Sequence, residues 1–200
     1  MFDRKIQLYT QKPLIFLGNF LKKFLNANQI TFIGFIFGFL MCMSIFYNHY
    51  SSAIIFLLLN RFFDGLDGVV ARLSTPTPLG GFLDIVFDFI IYSGFVLAFG
   101  LSNDDFTFVS MILIFTFIGT ATTFLAKSAI KPSMQIRHNK PEISKSFYYS
   151  QGIVEGLETT IYMFLCLIFP NLFIFFSMIF IVMCLITTFS RIVVTYKEFS

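Results

Sequence analysis

Residues 64–88 read DGLDGVVARLSTPTPLGGFLDIVFD, placing four carboxylates, one arginine and four glycines inside a chain that is otherwise apolar. Asp64 and Asp67 are three residues apart, and Gly68 and Ala71 continue the same helical face. Asp84 and Asp88 are four apart, with Gly80 one turn earlier on their face. Between the pairs lies Ser74-Thr75-Pro76-Thr77-Pro78, a turn signal. The simplest geometry is a helical hairpin that points the two carboxylate pairs at one another. Four carboxylates in that space do not all ionise unless positive charge sits among them. Hard divalent cations, Mg²⁺ or Mn²⁺, are the natural neutralisers of an all-oxygen cluster. The stretch predicts a two-metal site held by Asp64, Asp67, Asp84 and Asp88.

The rest of the chain reads as membrane protein. Of 200 residues, 56% are hydrophobic, 12% are charged and 31 are phenylalanine, and the mean hydropathy is +0.81. A soluble domain carries about a quarter charged residues, so lipid is the fitting solvent. A net charge of +3 without a basic run gives no reason to expect nucleic acid. Cys42, Cys166 and Cys184 fall in separate apolar runs and read as small buried hydrophobes. His49 and His138 lie far apart in sequence and suggest no shared site.

Met1–Ala27 mixes Arg4, Lys5, Lys12, Lys22 and Lys23 with apolar residues. Leu14, Leu17, Leu21, Phe24 and Leu25 share a face, which predicts an amphipathic helix lying on an anionic leaflet. Six apolar runs of bilayer-spanning length follow, near 29–47, 52–73, 79–100, 106–126, 151–169 and 171–194. The expected fold is therefore all-α: an N-terminal interfacial segment, 1–27, and one six-span domain, 28–200.

The cations orient it. Five lie in the N-terminal segment, and Lys127, Lys131, Arg137, Lys140 and Lys145 lie around the connection between the fourth and fifth runs. The opposite loops, around Asn48, Ser102–Asp105 and Pro170, contain no Lys or Arg. The positive-inside rule puts both termini and the acidic stretch on the cytoplasmic side.

Two plainer accounts of the four acids compete with the metal site. They could form structural salt bridges with Arg61 and Arg72, but two cations leave an excess of negative charge. They could line an ion path, but that favours acids spread through the membrane, whereas these crowd at one end. Acids within spans are costly, about 2.5–3.5 kcal/mol each at mid-membrane. Interleaved Gly65, Gly68, Gly80 and Gly81 let ligand and backbone approach, and Arg72 is suited to phosphate.

Asp64-x2-Asp67-Gly68-x2-Ala71-Arg72, then Gly80-x3-Asp84-x3-Asp88, resembles the signature of the CDP-alcohol phosphotransferases, with all eight fixed positions present. Seven residues separate Arg72 from Gly80, where the family pattern has eight. Asn28-x-Ile30-Thr31 also looks familial, and Lys145–Tyr149 and Glu155–Glu158 are similar to a bacterial inner-membrane subgroup. The resemblance implies transfer of a phosphatidyl or related group from a CDP-linked donor to an alcohol, with release of CMP. It implies two divalent ions on the four aspartates, Asp88 as general base, and Gly68, Ala71, Arg72 and Gly80 around nucleotide and phosphate. It further implies a lipid-anchored donor such as CDP-diacylglycerol, a small alcohol acceptor, surrounding membrane lipids and a homodimer. A donor made from a small alcohol with a lipid acceptor, a carboxylate-lined cation transporter and an inactive paralogue are the alternatives. Glu155 and Glu158 are expected to pair with Arg61 or Arg191, or to face an acceptor.

Overall fold

The computed structural model describes residues 13–138 and 152–199, with side chains described outside 131–138 and 199. Every regular element among them is helical. A short helix over 13–21 (α1) leads to α2 (Ala27–Phe46), α3 (Tyr50–Leu73), α4 (Pro78–Ser102) and α5 (Asp104–His138). After the segment 139–151 come α6 (Gly156–Ile168), a 3₁₀ turn (Pro170–Leu172) and α7 (Phe173–Phe199). Four described segments are long and apolar enough to cross a membrane: α2, α4, Asp104–Ile130 and Pro170–Glu198. The α3 helix has the length, with 24 residues, but Arg61, Asp64, Asp67 and Arg72 interrupt its apolar run. The α6 helix has 13 residues.

Helix ends depart from the expected runs mainly in α5, which continues past Ala126 to His138. A bilayer boundary stops apolar sequence, not helical hydrogen bonding, and Ala-Lys-Ser-Ala-Ile-Lys is a competent helix former. Part of the expected basic loop is thus helix, while Lys140 and Lys145 lie outside the described residues. At the other end of the chain, α6 starts at Gly156, later than the expected 151.

The chain packs as two compact units, Met1–Ser102 and Asn103–Ser200. In the first, α2 lies against both α3 and α4. Gly34 and Gly38, a small-xxx-small pair, permit this close approach. A Cβ on Gly34 would stand 3.2 Å from Phe63 Cβ, and one on Gly38 would stand 2.5 Å from Ile91 Cδ1. Stacked rings flank the crossing, Phe37 on Phe63 at 5.4 Å and Phe35 on Phe87 at 4.3 Å. Asn60 Nδ2 donates to the Gly34 carbonyl at 2.9 Å, a buried polar tie from α3 to α2.

The apolar residues of α1 divide between two surfaces. Leu14, Leu17, Leu21 and the following Leu25 pack on a core of Ile30, Leu66 and Val70. Ile15, Phe16, Phe20 and Phe24 stay exposed. Phe24 therefore leaves the leucine face to which its spacing assigns it.

In the second unit α5 packs along α7, with Gly119 meeting Thr188 and an ion pair of 2.9 Å from Lys127 to Glu198. Tyr162 of α6 stacks on Phe180 at 4.3 Å and shares a 2.8 Å hydrogen bond with Ser177. Cys166 and Cys184 are buried, Cys42 is half-buried, and all three are free thiols.

Candidate active site

The α3–α4 hairpin forms where the sequence signals it. Leu73 ends α3 and Pro78 opens α4, its missing N–H being harmless at the first helical position. Thr77 accepts the Gly80 backbone N–H on Oγ1 at 3.1 Å and so caps the helix. Asp67 lies six residues before Leu73 and Asp84 six after Pro78; Asp64 lies nine before and Asp88 ten after. At about 1.5 Å per residue, each pair therefore meets its counterpart at matching depth, about 9 Å and 14 Å from the turn.

Carboxylate oxygens of Asp64, Asp84 and Asp88 all fall within 4.8 Å of one another. Asp67 lines the same pocket, together with Thr31, Gly34, Phe35, Asn60, Phe87 and Ile91. It is buried, and its Oδ2 has no hydrogen-bond partner. Such an orphan costs about 1–3 kcal/mol or more for a charged group, which a cation on that oxygen would relieve. Asp84 is exposed, and Asp64 and Asp88 are half-buried, so the cluster opens on one side. An all-carboxylate donor set with one buried oxygen unsatisfied fits a hard divalent ion.

The basic residues divide sharply. Arg61 is inside the cluster: Nη2 donates to Asp88 Oδ1 at 2.8 Å, and Nη1 lies 3.6 Å from Asp64 Oδ2. Nε and Nη2 also donate to Asn60 Oδ1 at 2.9 and 2.7 Å, and Nη1 to the Tyr92 hydroxyl at 3.1 Å. Tyr92 in turn donates to Asp88 Oδ2 at 3.0 Å. Arg72 is exposed and makes no ion pair among the described residues. It lies along Gly68, where a Cβ would stand 3.3 Å from Nη1.

The salt-bridge account of the acids is thus half met: Arg61 pairs, Arg72 does not, and most of the negative charge remains. Within its unit the partners of Arg61 are Asn60, Asp64, Asp88 and Tyr92, while Glu155 interacts electrostatically with Arg191, the other cation expected for it. Glu158 accepts the Glu155 backbone N–H at 3.1 Å and caps α6.

Of the remaining expected residues, Ala71 is half-buried on the Gly68 face. A Cβ on Gly80 would stand 3.1 Å from Asn28 Oδ1, so this glycine admits the start of α2 beside α4. Gly81 faces open space. Asn60, Tyr92 and Thr31 were not expected in the site. The first two carry a signal in spacing: Asn60 precedes Asp64 by four, and Tyr92 extends the series Gly80, Asp84, Asp88 by four more; Thr31 comes from α2 and has none.

The profile of the CDP-alcohol phosphatidyltransferases matches residues 24–190, across both units. The chain is also similar to the inner membrane protein YnjF of Escherichia coli (strain K12). They are 39% identical over 172 residues, covering 84% of this chain and 82% of that protein. With the hairpin and its four aspartates in place, the chain belongs to the CDP-alcohol phosphatidyltransferase family, whose reactions are phosphotransfers.

Proposed function

We propose that this membrane protein transfers a phosphatidyl group from CDP-diacylglycerol to a small alcohol and releases CMP, in phospholipid synthesis. The observation that carries the reading is the cluster of Asp64, Asp84 and Asp88 oxygens within 4.8 Å, beside the unsatisfied Asp67 Oδ2, in a chain of this family. Asp64, Asp67, Asp84 and Asp88 would hold two divalent cations, Mg²⁺ or Mn²⁺. When bound, such ions neutralise charge on the donor diphosphate and on departing CMP.

The chain's own groups do the rest. Arg72, exposed beside Gly68, grips a phosphoryl oxygen as a fixed cation, and Gly68, Ala71 and Gly80 leave room for the nucleotide. The acceptor hydroxyl oxygen forms a bond to the phosphorus that carries the diacylglycerol, and the bond from that phosphorus to the CMP oxygen breaks. Asp88 takes the hydroxyl proton. Each of its oxygens accepts one hydrogen bond, from Arg61 or Tyr92, and keeps a further lone pair for the task.

In the membrane we place six crossings, with α3 and α6 completing the four apolar segments. The α3 helix is about 36 Å long, and α6, at about 20 Å, is extended at its start by 152–155. Both termini and the site then face the cytoplasm of a bacterial inner membrane, the location that the name of the E. coli relative gives for that protein. Exposed Phe16, Phe20 and Phe24 beside Lys22 and Lys23 suit α1 to the lipid interface.

Purified protein in detergent, given CDP-diacylglycerol, Mn²⁺ or Mg²⁺ and single acceptors (glycerol 3-phosphate, serine, inositol, inositol phosphate), tests the reading. Acceptor-dependent CMP release that disappears in Asp88→Asn is expected. CMP release only from a CDP-linked small alcohol with a lipid acceptor would reverse donor and acceptor. Metal flux in vesicles without CMP release would replace the transferase by a transporter.

A further inference from the structure

The reading above leaves Arg61 without work, although it is the best-connected side chain of the cluster. It touches two of the four carboxylates, yet four other contacts decide where it stands: two from Asn60, one from Tyr92, and the packing of its guanidinium 5.4 Å over the Tyr92 ring. Asn60 is itself fixed to the Gly34 carbonyl of α2. The guanidinium is therefore tied through neutral partners to α2, α3 and α4 as well as to the acids, Nη2 being shared by Asn60 and Asp88 and Nη1 by Tyr92 and Asp64. A surface arginine answers to its carboxylate partner alone; this one has neutral partners besides.

Its charge matters because it never leaves. Four carboxylates and one guanidinium leave three negative charges. Two divalent cations would turn that into one positive charge, which then meets an anionic diphosphate. Without Arg61 the loaded cluster is neutral, and it attracts the cations more and the donor less.

We propose that Arg61 is the fixed counter-cation of the cluster: it weakens divalent-ion binding, leaves the loaded site cationic for the donor, and with Tyr92 orients Asp88. This inference rests on the metal-centre reading above. Asp64 and Asp88 share their negative charge with a guanidinium 3.6 and 2.8 Å away, so an entering ion competes with it. Tyr92 carries no charge: it helps to hold the Arg61 guanidinium and donates the hydrogen bond that sets Asp88 Oδ2.

Mn²⁺ titration of the purified protein in detergent, followed by paramagnetic resonance, separates these roles without turnover. Arg61→Gln is expected to bind Mn²⁺ at least about tenfold more tightly, while the KM for CDP-diacylglycerol rises. Arg61→Lys, which keeps the charge, should stay within about threefold of the parent in Mn²⁺ affinity. Tyr92→Phe should keep both Mn²⁺ affinity and donor KM and lower kcat. Folded Arg61→Gln with unchanged or weaker Mn²⁺ binding overturns the proposal. So does an equal tightening in Tyr92→Phe, which would trace the effect to geometry. Should Arg61→Gln not fold, a tenfold change in Arg61→Lys is the overturning result. Parent protein that binds no Mn²⁺ would instead remove the metal centre. Mn²⁺ binding with no CMP release would remove the transferase reading and leave Arg61 to be judged on affinity alone.

Discussion

Asp67 is the buried member of the four aspartates, and one of its oxygens has no hydrogen bond. Asn at this position keeps the shape and drops the charge. Asp67→Asn is expected to raise the melting temperature of metal-free protein, because an uncompensated buried charge is removed. It should also abolish the further rise that Mn²⁺ produces, and lower CMP release by about 10²-fold or more. Arg72 and Gly68 form a second pair with one outcome. Arg72→Lys loses the planar fork, and Gly68→Ala puts a methyl 3.3 Å from Arg72 Nη1. Either should raise the donor KM about tenfold with little change in kcat. The double variant should cost less than the two effects added, since both act on one contact.

Among elements, glycines of similar appearance have opposite duties. Gly38 in α2 stands where any Cβ meets Ile91 Cδ1 at 2.5 Å. Gly38→Val should therefore pry α2 from α4 and destabilise by about 1–3 kcal/mol, read as a lower thermal midpoint in detergent. Gly81 has nothing within 4 Å, so Gly81→Ala should raise stability by up to about 1 kcal/mol through helix propensity. Sequence alone showed the hairpin, because Ser74–Pro78 breaks a helix in any context and the aspartates repeat at helical spacing on either side. It gave no reason to single out Gly38, since the demand for a bare Cα comes from Ile91, 53 positions further on. Nor could it divide Arg61 from Arg72. Both flank the acids by position, and only the folded hairpin turns one inward beside Tyr92 and leaves the other exposed. The seven-residue spacer is also explained here: Ser74 to Thr77 are the non-helical residues between α3 and α4. A shortening there leaves both helical registers, and so all four aspartates, untouched.

At the scale of the whole molecule, apolar composition announced a membrane protein, and the spans were legible wherever charge was absent. Two helices fall outside that set: α6 for its 13 residues, and α3 because it carries the chemistry, Arg61, Asp64 and Asp67 diluting its hydropathy. The amphipathic reading of α1 found its leucine face but assumed lipid beneath it; Ile30, Leu66 and Val70 occupy that place. Topology remains open to a direct check. Reporter fusions after residue 200 and within 139–151 should report cytoplasm, and one at Asn48 the opposite side. The three thiols make a gentler assay possible. Cys166 and Cys184 are fully enclosed, and Cys42 packs against Gly94, whose Cβ would lie 3.3 Å from its sulfur. The chain is thus nearly silent to water-borne maleimides as it stands. A single cysteine placed at Thr75, in the exposed turn, would be a clean spectroscopic address two residues from the end of α3, open to dyes or spin labels without first stripping the native sulfurs.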